Sequence, residues 1–313
     1  MPQLTRTRRP AVRARRGLSL IELLITMTVL AIVGASLTNI LTRQQRFYRD
    51  AAERVELRRE LRGGASLVPA DLRALSTIGG DLLAASNTSI EVRAAIGSAI
   101  ACGRSGDYEL HLAPLNLSNH TLTSWYTAPK VGDEIFVFND SSGAGAEDDK
   151  WDPHVLAATP SLPGDATRCP ATPYVLAADA ALPRVAMTTT AKLSPFVGAG
   201  SVVRLTRRMR YSFYQPAGAT DWYVGFEEYD GDAGAYGAIQ PVIGPLVETN
   251  GLRFSFSDSA GTAVNPSTAD ARKRITRIGL QMRAAGRSDA LRARGGAAYR
   301  DSLFFKVGVR NFK

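Results

Sequence analysis

The sequence has few of the residues that build metal and redox centres. Its 313 residues include two cysteines and three histidines, and neither type has the close spacing of zinc ligands. There is also no G-x-S-x-G elbow, no Walker loop and no G-x-G-x-x-G after a predicted strand. Without these motifs, the sequence offers no candidate catalytic or binding residue for a hydrolase, an NTPase or a dinucleotide-dependent enzyme. We therefore expect no cofactor and no enzymatic activity.

Negative charge is missing from the first 17 residues, which contain six arginines. The whole chain has 38 basic and 29 acidic side chains and a formal charge of +9. Residues 63–313 are nearly neutral, with 25 basic and 24 acidic side chains. A general basic surface for nucleic acid is therefore poorly supported. An arginine cluster directly before an apolar segment instead predicts a cytoplasmic N-terminus.

The apolar segment extends from Leu18 to Leu41 and contains a single charge, Glu22. As a helix rising about 1.5 Å per residue it is long enough to cross a bilayer. A cleaved signal peptide is one interpretation, because Val33-Gly34-Ala35 resembles a signal peptidase site, and a permanent anchor is another. Glu22 argues against the signal peptide, since an acid at the centre of such a helix costs about 2.5–3.5 kcal/mol on insertion scales. A new amine created by cleavage before Leu18 would be a partner for it.

The residues Arg15-Arg16-Gly17-Leu18-Ser19-Leu20-Ile21-Glu22 resemble the prepilin peptidase site of type IV pilins and type II secretion pseudopilins. The resemblance implies cleavage between Gly17 and Leu18, N-methylation of Leu18, and pairing of Glu22 with the terminal amine of a neighbouring subunit. Leu18 departs from the usual phenylalanine or methionine.

The same resemblance implies the partners and the location of the protein. The partners are a prepilin peptidase, other minor and major pilins or pseudopilins, an inner-membrane assembly platform and inner-membrane lipid; nucleic acid is not expected. The chain would cross the bacterial inner membrane once, with a periplasmic head, and would then enter a pilus or pseudopilus.

The helix is expected to continue beyond the membrane because no proline occurs between Pro10 and Pro69. Phe47, Ala51 and Val55 recur at helical spacing, and Gly63-Gly64 is the predicted end. We therefore divide the chain into a leader (1–17), a transmembrane and spine helix (18–62) and a periplasmic head (63–313). Within the head, residues 101–200 are expected to be irregular and residues 202–312 to form a sheet.

Alternating apolar and polar residues predict the strands of the head. In Val203–Phe213 the apolar residues share one face, and Arg204, Arg208 and Arg210 lie on the other, which we expect to be solvated. The pattern recurs in 252–256, 278–282 and 303–309, and shorter strands are predicted near 89–93, 108–112 and 134–138. The fold class is therefore α+β, with an N-terminal helix packed on an antiparallel sheet. The order of strands and the Arg310-Asn311 ending also resemble J-type minor pseudopilins and large minor pilins.

Cys102 and Cys169 are expected to form a disulfide rather than remain two buried thiols, because the head would face an oxidising compartment. His111, His120 and His154 are interpreted as surface or satisfied core residues. The acidic clusters Glu147-Asp148-Asp149 with Asp152, and Asp230-Gly231-Asp232, are interpreted as solvated turns, with calcium as the alternative. Arg204–Arg210 and Arg272–Arg277 are the remaining nucleic-acid candidates, and a solvated sheet face explains them more simply.

The predicted function is that of a minor pilin or pseudopilin, a structural subunit at or near the tip of a type IV pilus or type II secretion pseudopilus. The alternative is a membrane-anchored or secreted periplasmic enzyme or binding module that uses the N-terminus only for targeting.

Overall fold

A computed structural model of the protein describes residues 19–140, 149–162, 169, 175–179, 181–286 and 300–310. The predicted cleavage site between Gly17 and Leu18 lies outside these ranges, as do Glu147, Asp148 and Asn311. The chain divides into two compact units, one that ends at Glu53 and one that begins at Arg54.

Helix α1 extends from Leu20 to Arg73, and the expectation of a long continuous helix is confirmed. The predicted end at Gly63-Gly64 is wrong. A Cβ atom on Gly64 would lie 2.4 Å from Cδ1 of Ile243, so this glycine allows a sheet residue to approach the helix closely. The helix ends soon after Pro69, which has no N–H to donate.

The N-terminal unit contains the apolar half of α1. Residues 20–49 are exposed throughout, and this helix is long and apolar enough to cross a membrane. Phe47 and Val55, which the helical pattern placed on one face, are 70% and 67% exposed. The buried stripe of the helix instead begins at Leu57.

The C-terminal unit is built on one large antiparallel sheet and a short helix, α2 (Ala269–Lys273). The strands are β1 (Leu82–Ala85), β2 (Ser89–Ser105), β3 (Glu109–Leu112), β4 (Ser124–Trp125), β5 (Glu134–Asn139), β6 (Lys150–Val155), β7 (Val185–Thr188), β8 (Val202–Tyr214), β9 (Trp222–Asp230), β10 (Ala235–Tyr236), β11 (Gln240–Leu246), β12 (Leu252–Ser257), β13 (Arg277–Ala285) and β14 (Arg300–Gly308).

The main strand order is β12-β13-β11-β9-β8-β2-β3-β7, with β14 paired to β13. The long strand β8 lies near the middle of this order. Along one edge it pairs with β2, and along the other it pairs first with β5 (residues 203–206) and then with β9 (residues 209–214). The second edge of β8 is therefore divided between two partners.

The predicted α+β class is confirmed, because the long helix is followed by an antiparallel sheet. The strands expected from alternation correspond to β8, β12, β13 and β14, and the shorter ones to the start of β2, to β3 and to β5. Residues 101–200 are more regular than expected. They contain the end of β2 and strands β3 to β7.

The hydrophobic core lies between the second half of α1 and one face of the sheet. The helix contributes Leu57, Leu61, Val68 and Leu72, and the sheet contributes alternate residues of the long strands. A partly buried polar contact joins the two layers, since the Tyr211 hydroxyl donates to Oδ2 of Asp71 at 2.5 Å. Burial raises the pKa of Asp71, and the bond to Tyr211 opposes this rise.

Replacing Leu72 by Ala should lower the free energy of unfolding by about 2–5 kcal/mol, because a fully buried leucine leaves a cavity when it is truncated. The measurement is chemical denaturation of the full-length protein in detergent. Leu67→Ala is the matched control on the same helix, since Leu67 is 46% exposed. Equal losses in the two variants would contradict the packing described above.

Candidate processing and assembly site

The described part of the predicted processing site is the first turn of α1. The Ser19 hydroxyl accepts a hydrogen bond from the Glu22 amide at 3.3 Å, and the Glu22 carboxylate accepts one from the Ser19 amide at 3.5 Å. This reciprocal pair is a capping box at the start of the helix. The Glu22 amide also donates to the Ser19 carbonyl at 3.1 Å. The negative charge of Glu22 also lies at the positive end of the helix dipole.

Glu22 therefore has a role within its own chain besides the intersubunit role expected from the sequence. The sequence reasoning did not assign Ser19 to the site, although the S-x-x-E pattern at residues 19–22 was the available signal. Glu22 itself is exposed. Its carboxylate is thus held at the helix start and is accessible to a second partner.

The hydroxyl groups in the apolar half of α1 are satisfied within the helix. Each donates to a carbonyl three or four residues earlier, over 2.8–2.9 Å, and the residues concerned are Thr26, Thr28, Ser36, Thr38 and Thr42. In lipid a polar group without a partner is costly, so these bonds suit a helix that lies in hydrocarbon. The helix surface remains apolar in effect despite its five hydroxyl side chains.

Cys102 and Cys169 form a disulfide in the structure, with their Cα atoms 5.5 Å apart. This agrees with the preferred interpretation of the sequence. Both residues are buried in a small cluster with Ala113 and Val175, separate from the main core. The bond ties the end of β2 to a segment 67 positions later in the chain.

The arginines of β8 do not form the solvated face that alternation predicted. Arg204 donates to Asp81 at 2.6 Å, Arg210 donates to both carboxylate oxygens of Glu227 at 2.8 Å, and Arg208 donates to Glu134. Arg93 of β2 pairs with the same Glu134. These arginines are partly buried, and their charges are balanced by carboxylates from neighbouring elements. Nucleic-acid binding by this group is correspondingly disfavoured.

Arg207 is the residue of this group that the sequence reasoning missed. It is 3% exposed and lies in β8 on the face that carries Leu205 and Met209. Its guanidinium donates to both oxygens of Asp133 at 2.8 Å and pairs with Glu228 at 3.3 Å. The bond to Asp133 raises the pKa of Arg207, so the guanidinium remains charged. Arg207 lies between the part of β8 that pairs with β5 (residues 203–206) and the part that pairs with β9 (residues 209–214).

Arg272, in the second basic group, is also structural. Its guanidinium donates to the backbone carbonyls of Leu82 at 3.0 Å and Pro266 at 3.1 Å.

The histidines occupy different environments. His120 is exposed, whereas His111 and His154 are buried. His111 contacts Glu109 at 2.6 Å and lies against Arg184. Burial lowers the pKa of both His111 and His154, so their rings are neutral at pH 7.

Within the described ranges, no group of three or more His, Cys, Asp or Glu side chains is placed to hold a metal ion. In the second acidic cluster, Oδ1 of Asp230 accepts from the amides of Asp232 at 3.0 Å and Ala233 at 3.3 Å. These backbone bonds lower the pKa of Asp230, the one to Ala233 most strongly. Asp230 therefore has a structural role in a turn. In the first cluster, Asp152 accepts from Asn139 at 2.6 Å, and Glu147 and Asp148 lie outside the described residues.

Comparison with known families identifies the N-terminal segment. Residues 12–38 match the prokaryotic N-terminal methylation motif. The match includes Gly17, Leu18 and Glu22 and is consistent with a type IV pilin-like protein that a prepilin peptidase cleaves. No curated protein and no solved structure matches the chain.

Removing the disulfide should lower the free energy of unfolding by about 2–4 kcal/mol, because closing a loop of this length restricts the unfolded chain. The test is denaturation of the Cys102→Ser, Cys169→Ser double variant beside the parent protein. Adding reductant should destabilise the parent and leave the double variant unchanged. Equal stability of the two proteins under oxidising conditions would contradict the expected contribution of the bond.

Proposed function

We propose that the protein is a minor pilin or pseudopilin, assembled at or near the tip of a type IV pilus or a type II secretion pseudopilus. In this proposal it is made as a precursor in the inner membrane, cleaved between Gly17 and Leu18, and methylated at the new N-terminus. Its partners are the prepilin peptidase, other pilins or pseudopilins, the assembly platform and inner-membrane lipid.

The observation that carries the proposal is the position of Glu22 in the first turn of an exposed apolar helix, within the methylation motif. A free α-amine has a pKa of about 7.7–8.0 and is mostly protonated at neutral pH. Within lipid an ammonium and a carboxylate each offset the desolvation cost of the other, and either alone is expensive. Cleavage before Leu18 would create this amine, and methylation would keep its charge.

The exposed apolar surface of the N-terminal unit supports assembly. Helix residues 20–41 expose large apolar side chains, including Leu20, Leu30 and Ile32 at 67–84%. Such a surface is stable in lipid or against other apolar helices. On assembly, contacts with other apolar helices would replace contacts with lipid.

The size of the head supports a rare position in the filament. The C-terminal unit contains a sheet of 14 strands in the described residues alone. A head of this size fits a terminal or priming subunit better than a closely repeated one. We therefore assign the role to a minor subunit, structural and without enzymatic activity. Activity of the head by itself would instead favour a membrane-anchored enzyme or binding module.

The mature protein should begin at Leu18 and carry one added methyl group. The measurement is mass spectrometry of the N-terminal peptide from membrane-extracted protein. A start at Ser36 would indicate an ordinary signal peptide, and an intact leader would indicate a permanent anchor. Either result would overturn the proposed processing.

Glu22→Gln and Glu22→Ala should both be cleaved but fail to enter filaments, because both remove the negative charge. They differ in the helix cap, since Gln at this position of a capping box is an accepted replacement and Ala is not. The readout is the fraction of the protein in sheared or purified filaments, with cleavage measured separately on membranes.

Comparison of the two variants separates the roles of Glu22. If Glu22→Gln assembles normally and Glu22→Ala does not, the cap is the requirement and charge pairing is wrong. If both variants assemble normally, Glu22 has no part in assembly.

A further inference from the structure

The outer face of strands β12, β13 and β14 carries cationic side chains that form no ion pair with the residues the structure describes. We call this surface the C-terminal sheet face. The strand register places the following residues together on the outer face: Arg253, Ser255 and Ser257 of β12, Arg277, Gly279, Gln281 and Arg283 of β13, and Arg300, Ser302, Phe304, Lys306 and Gly308 of β14. These positions include no acidic residue.

The five cations of the C-terminal sheet face are all exposed, namely Arg253, Arg277, Arg283, Arg300 and Lys306. None of them forms an ion pair with the residues that the structure describes. The arginines of β8 differ, since carboxylates from neighbouring elements neutralise them. Within the described residues, the arginines in the middle of the sheet are therefore ion-paired and the cations at this end are not.

Strand β14 also presents backbone groups that no other described strand pairs with. Its nine residues pair with β13 in an unbroken register, and it has no second partner among the described strands. Two hydrogen bonds show which residues face which neighbour. The Val309 amide, just after β14, donates to the Thr276 carbonyl at 3.0 Å. The Arg283 amide of β13 donates to the Gly251 carbonyl, on the edge of β13 that faces β12. By strand alternation, residues 301, 303, 305 and 307 bond to β13, and the backbone of residues 300, 302, 304, 306 and 308 points away from it.

This edge is long and regular. At about 3.3 Å per residue, nine residues span roughly 30 Å. One outward amide is already used, because Ser302 donates to Oδ1 of Asp301 at 2.9 Å. The amides of Phe304 and Lys306 point outward without a β13 partner. An extended chain laid along β14 could therefore form a ladder of main-chain hydrogen bonds.

The side chains of β14 specify what such a chain would contain. On the outer face it would lie beside Arg300, Phe304 and Lys306, and Phe304 is 55% exposed. On the core face it would lie beside Leu303 and Phe305, which are partly buried and packed against the core. Charge complementarity requires acidic residues on the first face, and burial of the second face requires apolar residues.

We propose that the open edge of β14 binds an extended segment of a partner protein that alternates acidic and apolar residues, by addition of a strand to the sheet. The main-chain bonds supply affinity, and the cations of the C-terminal sheet face select acidic partners. This goes beyond the proposed function, because the binding step requires neither cleavage at Gly17 nor pairing by Glu22.

A competing explanation is that Arg300 and Lys306 protect an exposed edge from aggregation, as charged residues often do. That explanation predicts that no strand binds. The two explanations therefore differ in a measurable outcome.

The test uses the full-length protein in detergent and an array of labelled decapeptides, read by fluorescence anisotropy. Alternate positions of each peptide are Glu, Ser or Lys, and the remaining positions are Val or Ser. We expect the Glu/Val peptides to bind at least tenfold more tightly than the Lys/Val and Glu/Ser peptides. Failure of every peptide to bind, or equal binding of the acidic and basic sets, would overturn the proposal.

Two pairs of variants separate the contribution of the β14 backbone from that of the charged side chains. Phe304→Pro removes an outward amide without touching the β13 ladder and should abolish binding, whereas Phe304→Ala keeps the amide and should retain most of it. Arg300→Glu combined with Lys306→Glu should reverse the preference to the Lys/Val peptides. Arg62→Glu, an exposed position on α1, is the matched control and should leave the preference unchanged. Equal binding by the Pro and Ala variants would overturn strand addition.

Peptides with N-methylated backbones provide the same test if Phe304→Pro does not fold. Methyl groups on the amides that face β14 should abolish binding to the parent protein, and retained binding would overturn strand addition.

A ten-nucleotide oligothymidylate tests whether the C-terminal sheet face binds nucleic acid instead of an acidic peptide. Tighter binding of this probe than of the Glu/Val peptides would assign the C-terminal sheet face to nucleic acid and overturn the proposal.

Discussion

Burial of one stripe of α1 against the sheet is the interaction on which the C-terminal unit depends. Leu57, Leu61, Val68 and Leu72 recur at helical spacing and meet the alternate apolar residues of the long strands. The sheet has its apolar residues on one face and needs a second layer to cover them. The helix supplies that layer. Gly64 allows the close approach to Ile243, and a partly buried hydrogen bond between Asp71 and Tyr211 joins the two layers.

Charge is handled in three different ways along the chain. Glu22 is held by the cap of its own helix and remains exposed. The β8 arginines are paired with carboxylates from neighbouring elements. The cations of the C-terminal sheet face have no such partners among the described residues. Buried charges need compensation within the fold, because desolvation is costly, whereas exposed charges need none. The uncompensated ones are therefore available for recognition.

Local patterns predicted much of the fold. Alternation in β8, β12, β13 and β14 reports which face is buried, and this can be read from neighbouring residues alone. The helix end could not be read in this way. Gly63-Gly64 resembles a helix stop, but the contact of Gly64 with Ile243 joins residues far apart in sequence. Arg207 was missed for a similar reason, since Asp133, just before β5, and Glu228 of β9 are distant in sequence and make its burial possible.

The sequence by itself determined the class of protein, because the arginine leader, Gly17, Glu22 and the apolar segment are contiguous and act through local chemistry. It also indicated the two layers of the head and the pair of cysteines. The tertiary structure decided which arginines form ion pairs within the described residues and which do not. That difference depends on carboxylates that the fold brings together from separate parts of the chain. It also decided that no other described strand pairs with the outer edge of β14, because the order of strands in a sheet is set by long-range packing.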